Sequence, residues 1–268
     1  MKKLFLFFAF ALFSASMFAT TYTVVGANED IFGKDKSWCK DCAENDMTAD
    51  GEKVFKWSKA GVTLAIGAYE YKIVEDHAWT KSYPQDGNAT FPITKAGTYD
   101  LTFVLDLSGA EATYYVKAEP KTITGYATKV ELKGSWNGWT DGLALTISDD
   151  KKTASAKLNL TAQETNYEFK LLLNETAWIG NNHEYHREYT GAENINENAG
   201  NMKLKADVTG DYIFTWTFAT DGLQITFPAA TGIENTAVES KAIKTYENGQ
   251  LIVIKNGVKY NALGQIMK

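Results

Sequence analysis

Arginine is almost missing from this chain of 268 residues, and acids outnumber bases. Arg187 is the only arginine, so a site that grips phosphate through several guanidinium groups is not expected. The 33 acids against 27 lysines and arginines give a formal net charge of −6. Such an excess of negative charge repels anionic polymers. We therefore expect no nucleic-acid partner.

Long apolar runs are also missing, except at the N-terminus. Basic residues 1–3 precede an apolar run at 4–13 and a small-residue series at 14–19, the order typical of a secretory signal peptide. The run is far shorter than the ~20 residues that span a bilayer. Removal of residues 1–19 deletes two lysines and no acid, which changes the formal charge from −6 to −8. We expect a secreted or cell-surface protein.

Cysteine occurs only twice, as Cys39 and Cys42. In a protein that leaves the reducing cytoplasm, two thiols three positions apart favour a local disulfide. A thioredoxin-like redox pair is the alternative, but it needs a helix after the first cysteine, and residues 43–51 show no amphipathic helix. Zinc would need two further ligands, and the three histidines offer no suitable spacing. We predict a disulfide, no metal site and no cofactor.

Helical periodicity is absent from every ten-residue stretch, whereas short runs of alternating apolar and polar residues recur between turn residues. This pattern predicts an all-β fold of two tandem immunoglobulin-like β-sandwiches followed by a small C-terminal β-meander. Residues 99–105 place Tyr99, Leu101, Phe103 and Leu105 on one face of a predicted strand. A second run places Tyr212, Phe214, Trp216 and Phe218 on one face, which predicts that Trp216 is a core residue.

We divide the chain into a signal peptide at 1–19, a first sandwich at 20–119, a second sandwich at 125–228 and a tail at 232–268, with a short connection at 120–124. The two Asn-Gly pairs of the tail, at 248–249 and 256–257, predict a meander of three strands. The tail is too short to bury much surface by itself.

An internal repeat relates the two sandwiches. Each copy contains a Tyr-Glu-aromatic-Lys run, at 69–72 and 167–170, and each has an Asn nine residues before the glycine of a Gly-(Thr/Asp)-Tyr run. A period of about 100 residues indicates tandem domains rather than a solenoid. Alternation in a strand places the lysine of each run on the outer face. The interval from Trp to Asn is nine residues in the first copy and 23 in the second, so the second copy carries a 14-residue insertion.

Each copy combines two tryptophans, a lysine and an asparagine, a set suited to a sugar. Aromatic planes stack on the apolar C–H face of a sugar ring, lysine offers three donors to its hydroxyls, and asparagine offers a donor and an acceptor. The candidate carbohydrate-binding residues are Trp38, Lys72, Trp79 and Asn88 in the first copy and Trp139, Lys170, Trp178 and Asn201 in the second. The insertion could add Tyr185, Arg187 and Tyr189 as accessory contacts, or be an ordinary polar loop.

The second copy resembles the glycogen- and starch-binding early-set modules found beside isoamylases, pullulanases and kinase regulatory subunits, through residues 134–139 and 167–170 and Trp178. The first copy is more similar to the pullulanase-associated module, through residues 38–42 and 67–72. These resemblances imply early-set sandwiches that contact a glucan through the eight candidate residues above.

The tail resembles the C-terminal sorting domain of the type IX secretion route, at residues 248–251 and 260–265. That resemblance implies the secretion machinery as a partner and an outer-membrane location. The alternative is a small extra β-element of the second sandwich.

We therefore expect a non-catalytic, monomeric protein that binds a polysaccharide or oligosaccharide, most simply an α-glucan. A glycosidase would need two carboxylates about 5–10 Å apart in a cleft, and no serine-elbow, phosphate-loop or zinc-protease motif is present. A structural or adhesive surface protein, with its tryptophans packed inside spacer domains, is the main competing interpretation. A redox protein that uses Cys39 and Cys42 is the third.

Overall fold

The computed structural model of the protein describes residues 20–188, 193–195, 200–229, 243–247, 250–255, 258–261 and 264–267. The predicted signal peptide and Tyr189 lie outside the described residues. The chain divides into two compact units, Met1–Phe227 and Pro228–Lys268. The first unit contains two hydrophobic cores, one for each predicted sandwich.

The first core lies between two antiparallel sheets. Their strands are β1 (Tyr22–Gly26), β2 (Thr48–Ala49), β3 (Val54–Leu64), β4 (Gly67–Glu75), β5 (Ala78–Tyr83), β6 (Ala89–Ile93), β7 (Ala96–Asp106) and β8 (Thr113–Gly125). One sheet has the order β1–β4–β5, and β6 also pairs with β4; the other has the order β2–β3–β7–β8. The strands β6 and β8 are therefore outer strands.

The second core lies between two further sheets. Their strands are β9 (Val130–Gly134), β10 (Leu143–Ala144), β11 (Thr146–Ile147), β12 (Thr153–Leu160), β13 (Tyr167–Leu173), β14 (Ala177–Ile179), β15 (Glu184–Tyr185), β16 (Glu193–Asn194), β17 (Met202–Leu204), β18 (Gly210–Thr217) and β19 (Gly222–Thr226). One sheet has the order β10–β9–β13–β17–β15, with β14 also paired to β13. The other has the order β11–β12–β18–β19–β16.

Side-chain alternation determines both cores, as predicted. Trp216, the predicted core residue, is 0% exposed, and the seven apolar side chains that alternate in the same two runs are also buried. Ile213, on the opposite face of β18, is an exposed residue. The all-β prediction is confirmed, since the described helices are only α1 (Glu29–Phe32), capped by the side chain of Asn28, and two single 3₁₀ turns. No helix in the described part of the chain is long and apolar enough to cross a membrane.

The predicted connection at 120–124 is not a loop. These residues belong to β8, which pairs with β7 as far as Gly125 opposite Ala96. Two register shifts in this ladder, between Ala96 and Gly97 and between Thr98 and Tyr99, let Pro120 lie within a strand that is free on its other side. The first sandwich therefore extends about five residues further than the sequence indicated.

The second unit contains a meander of β20 (Ile243–Glu247), β21 (Gln250–Lys255) and β22 (Val258–Asn261). Its order is β20–β21–β22, with both pairs antiparallel. This is the topology that the two Asn-Gly pairs predict.

Candidate functional site

The strand register is similar in the two sandwiches. The last residue of β1, Gly26, pairs with Tyr71, and the last residue of β9, Gly134, pairs with Phe169. Neither glycine can carry a side chain, because an added Cβ would lie 2.2 Å from the ring of Phe32 at Gly26 and 2.2 Å from that of Trp136 at Gly134. In each copy an aromatic ring covers a bare glycine.

Trp38 and Trp139 occupy corresponding positions after these glycines. Both have a positive φ, 54° and 65° respectively. The backbone N–H of Trp38 donates to the oxygen of Gly26 at 2.9 Å, and that of Trp139 donates to the oxygen of Gly134 at 3.0 Å. The left-handed region is uncommon for a large side chain, so the two tryptophans share an unusual backbone conformation, although the segment from glycine to tryptophan spans 12 residues in the first copy and 5 in the second.

The lysines of the two Tyr-Glu-aromatic-Lys runs lie on the outer faces of their sheets, as predicted. Tyr71 and Phe169, one residue earlier, are buried in the two cores, and alternation turns Lys72 and Lys170 the other way. Burial lowers the pKa of Lys170, whose methylenes cover Gly180: an added Cβ there would lie 3.2 Å from Cγ and Cε of the lysine.

Both asparagines bind the glutamate of the same run. Asn201 donates from Nδ2 to Oε2 of Glu168 at 2.9 Å, and Asn88 donates from Nδ2 to Oε2 of Glu70 at 3.5 Å. Each asparagine immediately precedes the strand that pairs with the run, β17 or β6. The glutamates were not among the predicted site residues, although their repetition two positions before each lysine was the available signal.

The two later tryptophans do not occupy equivalent positions. Trp178 pairs directly with Leu172 in a regular ladder, diagonal to Lys170 on the outer face. In the first copy the corresponding register position, opposite Val74, is Ser82. Trp79 belongs to the irregular part of β5, where the pairing shifts between Val74 and Glu75.

The bulge explains the exposure of Trp79. Its side chain is 46% exposed, whereas that of Trp178 is half-buried. Gln85 connects this bulge to the lysine: its backbone oxygen accepts from Nζ of Lys72 at 3.5 Å, and its Nε2 donates to the oxygen of Thr80, next to Trp79, at 3.5 Å. The first copy therefore brings lysine and tryptophan together through a glutamine that the sequence analysis did not select.

Of the three accessory residues predicted in the insertion, Tyr185 is buried and Tyr189 lies outside the described residues. Tyr185 is 0% exposed and packs against Phe169 and His183, so the expectation that it touches a ligand is wrong. Arg187 pairs with Asp207, Nε to Oδ2 at 3.2 Å. The apolar ring and single hydroxyl of a tyrosine suit both a ligand contact and a core position. Only the tertiary packing decided that Tyr185 is a core residue.

Cys39 and Cys42 form a disulfide, as predicted, with sulfurs 2.00 Å apart. The bond closes the segment 39–42, which directly follows Trp38 in the chain. The segment after Cys42 is the three-residue 3₁₀ turn Ala43–Asn45, which does not provide the helix that a thioredoxin-like pair uses to activate its first thiol. Among the described residues, no group of histidines, cysteines and acids could hold a metal ion.

Charged side chains of both signs lie on the outer faces, and in the second sandwich Lys133 pairs with Lys170 and Lys203 pairs with Glu168. Each copy has one glutamate and one lysine two positions apart on the same face of one strand, Glu70 and Lys72 in the first and Glu168 and Lys170 in the second. Together with the amide of the asparagine and the indole of the tryptophan, each surface offers hydrogen-bond donors, acceptors and an apolar plane.

Residues 21–112 match the pullulanase X25 domain. The X25 match includes the four candidate residues of the first copy and ends one residue before β8. Among solved structures, the chain is similar to a pullulanase from Bacillus acidopullulyticus, at 17% sequence identity and a TM-score of 0.31. That alignment covers 59% of this chain and 28% of the pullulanase, so the chain corresponds to under a third of the enzyme. No curated protein matches the chain.

Proposed function

We propose that this protein is a non-catalytic glycan-binding protein for an α-glucan, with one site on the outer face of each sandwich. The first site uses Trp38, Lys72, Trp79 and Asn88, and the second uses Trp139, Lys170, Trp178 and Asn201. The X25 match of residues 21–112 supports a carbohydrate-binding role for the first sandwich, because it relates that sandwich to a domain of pullulanase.

A hydrogen bond between asparagine and glutamate supports the proposal for both sandwiches. The Asn–Glu hydrogen bond occurs in each, at 3.5 Å for Asn88 and 2.9 Å for Asn201, beside an outward lysine. A bond from one amide hydrogen to the carboxylate fixes the orientation of the asparagine and leaves its carbonyl oxygen for a sugar hydroxyl. Neither core needs this bond, since both residues lie on the outer faces.

A spacer protein remains the second candidate, and the half-buried Trp178 favours it for the second copy. A glycan array on the chain without residues 1–19, followed by isothermal titration, separates the two. We expect binding to amylose and glycogen fragments and none to cellulose fragments. A flat array, with no binding to any α-glucan, would leave the spacer function in place.

We also propose that the signal peptide and the tail carry the protein to the cell surface, the tail as cargo signal for type IX secretion. The tail's compact unit, Pro228–Lys268, is separate from the unit that holds both cores, which supports a role apart from the sandwiches. Deletion of residues 232–268 should trap folded protein in the periplasm. Normal surface delivery of the shortened protein would contradict this role.

A further inference from the structure

A groove of about 1040 Å³ opens along one side of the first sandwich. It runs between the outer strands β6 and β8 and reaches residues 219–221 of the second sandwich. None of the four candidate residues of the first copy lines it, although Asn88 immediately precedes β6. The groove is therefore a neighbour of the candidate site and not a part of it.

The floor of the groove carries tyrosine hydroxyls. Tyr71 lines the groove, is only 2% exposed, and its hydroxyl has no hydrogen-bond partner among the described residues. Burial, followed by the neighbouring Tyr114, raises the pKa of Tyr71, so this hydroxyl keeps its proton. The hydroxyl is not one of the fully buried polar atoms that lack a partner, so it reaches the surface of the groove and is available to donate to a ligand oxygen.

The walls combine an aromatic ring with an ammonium group. Tyr115 is 44% exposed, and Nζ of Lys117 lies 5.8 Å from its ring centroid. At the far end Nζ of Lys95 is already bound, to Oδ2 of Asp221 at 2.8 Å and to the oxygen of Ala219 at 3.0 Å. The groove thus offers ring, hydroxyl and amine groups, while its most buried charges neutralise each other.

In the second sandwich the chain itself fills the equivalent place. The inserted strand β15 pairs in parallel with β17, and the N–H groups of Lys203 and Lys205 donate to the oxygens of His183 and Tyr185 at 2.8 and 2.9 Å. The ring of Tyr185 packs against Phe169, which is the register equivalent of Tyr71.

The first sandwich cannot accept a strand in the same way. Since Tyr71 pairs with Ala89 and Phe169 with Met202, Thr90 and Pro92 correspond to the two donors, Lys203 and Lys205. Proline has no N–H, so an added peptide strand would lose one of the two hydrogen bonds seen in the second copy. The groove is open to a ligand, but the strand at its edge lacks one of the backbone donors that an added peptide strand would need.

We propose that this groove is a second glycan-binding site of the first sandwich and that it takes an uncharged oligosaccharide chain. Tyr115 would stack on a sugar ring, Lys117 would donate to its hydroxyls, and the hydroxyls of Tyr71 and Tyr114 would bind the buried rim of the sugar. The inference rests on the proposed glycan-binding function and adds to it a site outside the Trp–Lys–Asn set.

The test is a titration of the ¹⁵N-labelled chain, without residues 1–19, with maltoheptaose, observed by amide and indole chemical shifts. We expect the amides of Thr90 and Tyr115 to shift in the wild type and also in Trp79→Ala, which removes only the neighbouring site. Tyr115→Ala should weaken the binding of maltoheptaose in the groove about tenfold, equivalent to about 1.4 kcal/mol. The ligand-induced shift of the Trp79 indole should remain unchanged. Tyr71→Phe deletes one hydroxyl and introduces the residue found at the equivalent position of the second sandwich, Phe169. This variant should bind maltoheptaose in the groove more weakly and remain folded.

Three results would overturn the proposal, and they differ in what else they affect. Shifts at the Trp79 indole without shifts at Thr90 or Tyr115 would refute the groove and leave the proposed function intact. No shift at either place would refute both. Groove shifts with a peptide of residues 181–188 in place of maltoheptaose would show that the groove takes a strand, despite Pro92.

Discussion

Asn201 donates a hydrogen bond to Glu168 across 2.9 Å, and Asn88 makes the same bond to Glu70 in the other copy across 3.5 Å. The bond joins two segments 33 residues apart in the second sandwich and 18 apart in the first. An insertion of 14 residues between the tryptophan and the asparagine has therefore left this contact unchanged.

Removal of the acceptor should weaken glycan binding at the second site. Glu168→Ala leaves Asn201 free to rotate, and we expect a several-fold loss of affinity with a change in unfolding free energy of about 1 kcal/mol, the usual net worth of one hydrogen bond. Glu168→Gln keeps an acceptor oxygen and is the matched control. Isothermal titration measures the glycan affinity of each variant. Equal affinities for Glu168→Ala and Glu168→Gln would show that the bond does not position the asparagine.

Trp79→Ala and Trp178→Ala should each reduce binding to an α-glucan about tenfold, or about 1.4 kcal/mol, because each removes a stacking plane. Trp79 is 46% exposed, so its loss should leave the melting temperature nearly unchanged. Trp216→Ala is the control, since loss of a fully buried tryptophan typically costs 3–5 kcal/mol of stability. On a polymer the double variant Trp79→Ala/Trp178→Ala should lose more than either single change, because two linked sites bind with avidity. A large drop in the melting temperature of Trp79→Ala would favour the spacer interpretation.

Gly180→Ala should destabilise the second sandwich. The new Cβ would lie 2.1 Å from the backbone oxygen of Gly200 and 3.2 Å from Lys170, so the backbone beside Asn201 must move. Overpacking of this kind costs typically about 1–3 kcal/mol. Gly67→Ala, whose nearest contact would be an ordinary 3.8 Å, should be neutral in the same urea titration. Equal midpoints for the two variants would contradict the close approach.

The pair Lys95–Asp221 joins the two sandwiches and is largely buried, with side-chain exposures of 14% and 12%. Lys95→Met should destabilise the protein by about 3 kcal/mol, because it leaves a buried carboxylate without its cation. Lys95→Met/Asp221→Asn removes both charges and should recover most of the loss. Urea unfolding of the three proteins measures this, and a purely additive double variant would show that the pair is not coupled.

The stability of the protein should carry a pH dependence that comes from Asp221. Burial raises the pKa of this carboxyl above its ordinary value of about 3.9, against the opposing effects of Lys95 and Thr94. The folded protein then binds more protons here than the unfolded chain, so the contribution is present below pH 3.9 and falls as pH rises through the folded-state pKa. Melting curves of wild type and Asp221→Asn from pH 3 to 7 should diverge in that direction, and parallel curves would contradict the raised pKa.

The architecture followed from local patterns in the sequence. Period-two alternation is a property of each strand alone, so it placed Trp216 in the core and Lys72 and Lys170 on outer faces without any knowledge of their neighbours. The disulfide was equally local, because its two thiols are three residues apart.

Contacts between distant segments were decided only in the folded protein. The register shift beside Val74 moved Trp79 away from the position that Trp178 holds, because a bulge changes pairing without changing the sequence pattern on either side. The inserted segment of the second copy packed Tyr185 into the core, while the first copy, which lacks this insertion, keeps the equivalent groove open. A repeated sequence determined two similar sandwiches, and the pairing of their outer strands determined which surfaces remain accessible.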